Sequence, residues 1–165
     1  MDVGKLKSSR RKKKLICRLN NLCFGMHGHL TALLKDFHYF FYLKRQGKYE
    51  IANVYLKNTF FELQQIILLS RHIENLGGFP KVLSYKNNQI DYYKIKNSCK
   101  IDCKVIVLDS ISNQLLILKE YLGVKELTFD KKTEELIDSS IENIKNHIRL
   151  LSENITENTL KMPNL

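Results

Sequence analysis

Three polar side chains occupy positions that an amphipathic helix would turn toward its core, and each can bind a metal or a proton. Glu62 shares one stripe with apolar residues at steps of three and four, namely Ile66, Leu69 and Ile73. His29 and Asp36 interrupt a similar apolar seam earlier in the chain. Because an unpaired carboxylate is costly inside a protein, an inward-facing Glu62 needs a partner.

Long helices must position these side chains, because the 165 residues include only 7 Gly and 2 Pro. The apolar spacing predicts four of them. Helix one runs from Leu15 to Lys44, and helix two follows Gly47 and ends at Gly77-Gly78-Phe79-Pro80. Helix three runs from about Ser98 to Leu122 and is ended by Gly123. Helix four follows Asp130 as N-cap and continues to about Ile155.

The segment from Lys81 to Asn97 has no helical period and is too long for a tight turn between helices. Such a stretch reaches roughly 55 Å when extended, which is enough to run the length of a bundle. We therefore expect an all-α antiparallel four-helix bundle with one long crossover between helices two and three. The predicted domain organisation is a basic disordered tail (1–14), the helical domain (15–156) and a flexible C-terminal tail (157–165).

The lengths of the apolar runs and the spacing of the cysteines indicate the compartment in which we expect the protein. The apolar runs are too short to span a bilayer, and the N-terminus lacks the apolar core of a signal peptide, so we expect a cytoplasmic protein. The four cysteines have spacings that match neither a zinc knuckle nor a disulfide framework.

The stretch from His29 to Pro80, which begins HLTALLKDFHYF and ends RHIENLGGFP, resembles the first helical hairpin of bacterioferritin. VLDSISNQ and NHIRLLSEN are similar to shorter stretches of that family's third and fourth helices. The resemblance covers about residues 15 to 155. It implies a ferritin-like fold and a role in iron binding or storage, which in this family involves oxidation of Fe(II).

The family binds two irons with four Glu and two His from four helices. Carried over residue by residue, these positions fall on His29, Glu62, Gln65, Val107, Ile144 and His147. One carboxylate of four remains, so we do not expect a conventional di-iron ferroxidase centre. The family's haem-binding Met falls on Leu63, which argues against haem.

Two interpretations of this degenerate site stay open. His29, Asp36, Gln65 and His147 could satisfy Glu62 in a buried hydrogen-bond network. Alternatively, His29, Glu62 and His147 hold a single Fe or Zn ion per subunit, with Asp36 or Gln65 as a fourth ligand or a hydrogen-bonding support. A non-catalytic structural or binding subunit is therefore the alternative to iron handling.

Two surfaces predict partners. Helix two is apolar almost all round, which favours a homo-oligomer paired along the first hairpin. Seven cations stand in the segment KLKSSRRKKK: Lys5, Lys7, Arg10, Arg11, Lys12, Lys13 and Lys14. They could neutralise nucleic-acid phosphates without sequence preference, and they are similar to the basic tails of some Dps proteins. The alternative is a solvated tail that only aids solubility.

Overall fold

The computed structural model describes residues 3–81 and 102–160, with side chains for 9–81 and 102–153. All regular structure in these ranges is helical: α1 (Val3–Phe24), α2 (His29–Arg45), α3 (Tyr49–Asn75), α4 (Cys103–Lys125) and α5 (Lys131–Leu160). The helices pack together as a bundle, as expected for an all-α protein. None of the helices in these ranges is both long and apolar enough to cross a membrane.

The predicted helix one is wrong in two respects. It is broken at Gly25–Gly28, and its first part begins at Val3, so the basic segment expected to be a disordered tail is helical. The break is tight, because a Cβ added to Gly28 would lie 2.6 Å from the backbone oxygen of Leu22. Glycine at this position therefore lets the chain turn from α1 into α2 at close backbone approach.

Helices α3 and α5 follow their sequence signals closely. Gly47 and Gly77, which flank α3, both have φ of 72°, a conformation that glycine adopts without strain. Asp130 caps α5, because its carboxylate accepts hydrogen bonds from the backbone N–H (2.8 Å) and the hydroxyl (2.6 Å) of Thr133. Helix α5 continues to Leu160, beyond the expected start of the flexible tail at 157; residues 161–165 lie outside the described residues.

The structure confirms that α4 is a helix, but its bounds and its buried side differ from the prediction. The helix begins at Cys103, after Asp102 as N-cap, and it passes through Gly123 to Lys125. The sequence predicts that Leu108, Leu115 and Leu122 face the core, because they share one stripe with Ile111 and Leu118, but they are about half exposed. The buried stripe instead alternates apolar and polar residues, which are Ile106, Val107, Ser110, Asn113, Gln114, Ile117, Tyr121 and Val124.

Contacts between side chains fix the relative directions of the helices. Lys48 Nζ contacts Cys103 Sγ at 2.9 Å, so α4 begins beside the beginning of α3. His72 Nε2 contacts Thr133 Oγ1 at 2.9 Å, so α5 begins beside the end of α3. Helices α3 and α4 are therefore parallel, and α3 and α5 are antiparallel. Residues 82–101, which would contain most of the expected crossover, lie outside the described residues.

The core consists of two apolar clusters at the two ends of the bundle. One contains α1, the start of α2 and the end of α3, with Leu19 and Ile73 fully buried. The other contains the end of α2 and the start of α3, with Leu43 and Tyr55 fully buried. Along each helix from α2 to α5, buried polar residues separate the positions that belong to the two clusters. The bundle thus contains a polar layer between two apolar ones.

Candidate metal centre

Three side chains in the polar layer can hold one metal ion together. Asp36 of α2, Glu62 of α3 and His147 of α5 have ligand atoms that all lie within 4.8 Å of one another. They are 3%, 0% and 8% exposed, respectively. Two ligand atoms on one ion stand at most about 4.2 Å apart, so a small side-chain adjustment would close the site. The bundle therefore brings together two carboxylates and one imidazole from three helices.

Two of these three ligands have a buried atom that lacks a hydrogen-bond partner among the described residues. The atoms are Asp36 Oδ2 and His147 Nε2. Unsatisfied buried polar atoms are rare in folded proteins, and each costs about 1–3 kcal/mol. A divalent cation between these atoms would satisfy both, so the donor set fits a metal in number, chemistry and position.

The protonation of the site suits metal binding through His147. Burial raises the pKa of Asp36 well above its ordinary value of 3.8, and the negative charge of Glu62 raises it further. Burial lowers the pKa of His147, and Glu62 opposes that shift only in part. The imidazole is therefore neutral at neutral pH, whereas the raised pKa of Asp36 means that a metal competes with a proton for this carboxyl more than it would at an exposed aspartate.

Glu62 is held in place from two sides. His29 Nδ1 lies 2.5 Å from Glu62 Oε2, and the amide nitrogen of Gln114 donates a hydrogen bond to Oε1 at 2.5 Å. A carboxylate oxygen has two lone pairs, so each oxygen keeps one for a metal. Hydrogen bonds of this kind fix the orientation of a ligating carboxylate.

A second group of polar side chains supports His29 from behind. Tyr121, fully buried on α4, places its hydroxyl 2.8 Å from His29 Nε2 and 3.3 Å from the amide oxygen of Gln65. Ser140 of α5 donates to the same amide oxygen at 3.1 Å. This network connects four helices and extends away from the metal ligands.

The site residues expected from the sequence thus fall into two groups: candidate metal ligands and residues that form hydrogen bonds around them. Glu62 and His147 belong to the three-residue cluster, and Asp36, expected as a fourth ligand or a support, is a full member of it. His29 and Gln65 are not: His29 bonds to Glu62, and Gln65 bonds to Tyr121 and Ser140.

Two positions at which the resemblance would place a carboxylate are apolar. Val107 and Ile144, which occupy family carboxylate positions, are 2% and 0% exposed in the apolar core. The ring of Phe61 stacks on His147, with centroids 5.1 Å apart and planes inclined by 13°. This stacking fixes the plane of the imidazole, and the apolar neighbours offer no ligands to a second ion.

Gln114, Tyr121 and Ser140 were not anticipated as parts of the site. Their signal in the sequence is weak, because Gln114 and Tyr121 lie on the stripe of α4 that carries fewer leucines. Ser140 is a small residue of ordinary helical type. Only the packing of α4 and α5 against α3 shows that all three face Glu62 and Gln65.

Comparisons with protein families, curated sequences and solved structures find no similar protein. No protein-family model matches the chain. No curated protein sequence and no solved structure matches it either. The function must therefore be inferred from the arrangement of the buried residues themselves.

Proposed function

We propose that this protein is a ferritin-like bundle that binds a single divalent transition metal, with iron as its natural ligand, through Asp36, Glu62 and His147. The observation that carries the proposal is that two of the three clustered residues, Asp36 and His147, each have a buried polar atom, Oδ2 and Nε2, without a partner among the described residues. A bundle that had only lost a metal site would gain stability by replacing these groups with apolar ones.

The charges support one ion rather than two. Two carboxylates balance one divalent cation, so the loaded layer is neutral in its apolar surroundings. One imidazole with two carboxylates is a ligand set that Fe(II) and Zn(II) both accept. Among the described residues the cluster contains no further carboxylate, and Val107 and Ile144, where the resemblance would place two more, are apolar, so a second ion would lack charge compensation.

The order of the helices also supports a ferritin-like arrangement. Helices α3 and α4 run in the same direction, because Lys48, Glu62 and Gln65 contact Cys103, Gln114 and Tyr121 in that order along the two helices. The proposed crossover requires parallel neighbours of this kind, and ligands of ferritin-like sites project inward from the helices of such a bundle.

At a site that holds iron, each of the surrounding side chains would have a distinct role. Bound iron would supply electron transfer to an oxidant. Asp36 and Glu62 neutralise the ion, and His147 completes a set of three ligands. His29 and Gln114 keep Glu62 oriented. Three protein ligands leave coordination positions for small molecules.

A non-catalytic structural bundle is the second candidate, and one observation favours it. Both oxygens of Glu62 already have hydrogen-bond partners, and Gln65 accepts two hydrogen bonds without any metal. In that case the polar layer would define the register of the helices and bind no ion.

Anaerobic equilibrium dialysis against Fe(II) separates the two candidates. The proposal predicts about one iron per chain for the wild type, a loss of at least about tenfold in affinity for His147→Asn, and no loss for His72→Asn. His72 is a matched control, because it is a buried histidine that contacts Thr133 instead of Glu62. Absence of bound iron in the wild type would contradict the proposal and favour the structural role.

Admission of air to the loaded samples then tests for oxidation. Formation of Fe(III) faster than in a protein-free blank, and dependent on His147, would identify ferroxidase-type chemistry at this single site. A rate equal to the blank would limit the function to iron binding.

A further inference from the structure

The distribution of charge on α1 differs from that of the rest of the chain. Its 22 residues include eight cations and no acidic residue. These cations are Lys5, Lys7, Arg10, Arg11, Lys12, Lys13, Lys14 and Arg18. They supply most of the net charge of +10. Because like charges on one helix destabilise it, such a concentration calls for a specific reason.

The bundle holds this helix firmly despite its charge. Leu15, Leu19 and Leu22 are fully buried in the apolar cluster. The guanidinium of Arg11 donates hydrogen bonds to backbone oxygens in the connection just after α4, at 3.2 Å to Leu127 and 2.9 Å to Thr128. Arg11 thereby docks α1 against the connection between α4 and α5 rather than meeting a ligand.

Four other cations of this segment are exposed and have no ion pair among the described residues: Arg10, Lys12, Lys13 and Lys14. Arg10, Lys13 and Lys14 stand three and four positions apart, so they share one side of the helix. The structure thus presents a fixed row of unpaired positive charges next to a docked arginine.

We infer that the exposed side of α1 is a docking surface for the phosphate backbone of duplex DNA. This inference is independent of the metal site and goes beyond it. Charge complementarity identifies the partner, since Lys and Arg side chains on a helix bind phosphates by releasing counterions, without reading the sequence.

A membrane surface fits this helix less well. A helix that lies on a bilayer inserts apolar side chains beside its basic ones. The apolar residues Leu15, Leu19 and Leu22 of α1 are committed to the core. Residues 9–14 are all exposed, and all are Ser, Arg or Lys. Over residues 9–14, where the side chains are described, the surface therefore offers charge without an apolar face.

The test is fluorescence anisotropy of a labelled duplex DNA of arbitrary sequence, titrated with the full chain at several salt concentrations. Three phosphate contacts, from Arg10, Lys13 and Lys14, predict that log Kobs falls with log salt at a slope of about −2.7. Lys13→Gln/Lys14→Gln should reduce the steepness of that slope by about two and weaken binding at low salt by at least about tenfold.

The control is Lys44→Gln/Arg45→Gln, which removes the same charge from the last turn of α2, an exposed position outside α1. It should leave DNA binding within about twofold of the wild type. All four substituted side chains are exposed, so both variants should fold normally. Equal losses in both variants would assign binding to net charge alone and overturn the inference.

Vesicles that contain anionic lipid provide the competing surface. Binding to vesicles that is tighter than binding to DNA at equal salt, and that depends on Lys13 and Lys14, would overturn the assignment to DNA. No measurable binding to DNA at low salt would overturn it as well. Neither outcome depends on whether the polar layer binds a metal.

Discussion

At the scale of single residues, the most informative side chain is Asp36. It lies in an apolar seam of α2 at 3% exposure, and its Oδ2 has no partner among the described residues. Burial and the neighbouring Glu62 both raise its pKa. A carboxyl group of this kind destabilises the metal-free fold whenever it must ionise, and it becomes favourable when a cation arrives.

Asp36→Asn should therefore have opposite effects on stability and on metal binding. Because the folded pKa is raised, the carboxyl favours folding below its ordinary value of 3.8, and that contribution is lost as the pH rises through the folded pKa. The side-chain amide of Asn does not ionise, so the contribution of position 36 to the free energy of unfolding no longer depends on pH. The metal-free variant should therefore be more stable than the wild type at pH 7.

The measurement is urea unfolding with a chelator at pH 4 and pH 7, followed by the same measurement with excess Zn(II). The advantage of Asp36→Asn should shrink at pH 4, and Zn(II) should stabilise the wild type and not the variant. An Asp36→Asn variant that is less stable than the wild type at pH 7 would contradict this interpretation of Asp36.

The sequence could predict part of this site and not the rest. The inward position of Glu62 on a helix with clear spacing predicts it, and an apolar seam that His29 interrupts predicts His29, whereas His147 follows only from the resemblance to bacterioferritin. Two roles could not be predicted, namely that of His29 as a support for Glu62 and that of Asp36 as a candidate ligand. Both depend on how α2 is rotated about its axis and shifted along α3, and the spacing of residues within one helix does not contain that information.

At the scale of elements, the sequence predicts which segments are helical. It does not predict, for α4, which side of the helix faces the core. Helix α5 has one apolar stripe, and the glycines that flank α3 and the N-cap of α5 agree with the structure. Helix α4 carries apolar residues on both sides, so its spacing alone could not identify the buried one. The buried side includes Gln114 and Tyr121 because these residues bond to Glu62, His29 and Gln65.

The break between α1 and α2 was missed because seam spacing continues across it, and glycine inside a helical pattern is a weak signal. Its importance can be tested with a matched pair of substitutions. Gly28→Ala should destabilise the fold by about 1–3 kcal/mol, because its Cβ would meet the Leu22 backbone oxygen at 2.6 Å.

Gly123→Ala is the control, because it lies inside α4 and its Cβ would meet nothing within 4 Å. That substitution should stabilise the fold by about 0.5–1 kcal/mol, the usual gain for alanine over glycine in a helix. Thermal and urea unfolding measure both. Equal effects of the two substitutions would show that the break at Gly28 is not a tight one.

At the scale of the whole molecule, the outer sides of α2 and α3 carry several large exposed apolar side chains. The residues are Leu34, Phe37, Phe41, Phe60, Leu63 and Ile67, which are 43–59% exposed. Large exposed apolar patches commonly mark protein interfaces. We propose that two copies of the chain pair through this surface.

Light scattering coupled to size exclusion tests that pairing. The wild type should have a mass of at least twice the 19.4 kDa chain. Phe41→Lys/Phe60→Lys should shift it toward the single-chain mass, because burying two cations in an apolar interface is costly. Phe79→Lys, at a residue 78% exposed outside these helices, is the control and should leave the mass unchanged. A wild-type monomer would contradict the pairing.

The most direct test of the central claim is an anaerobic Co(II) titration of the metal-free protein, followed by visible absorption. The account predicts a spectrum that saturates at about one Co(II) per chain, with intensity typical of fewer than six ligands, and its loss in Glu62→Gln, which keeps the shape of the side chain and removes its charge. The His72→Asn protein is the control and should still give the wild-type spectrum. A titration with no change in the wild type, or an identical spectrum in Glu62→Gln, would contradict a metal site formed by Asp36, Glu62 and His147.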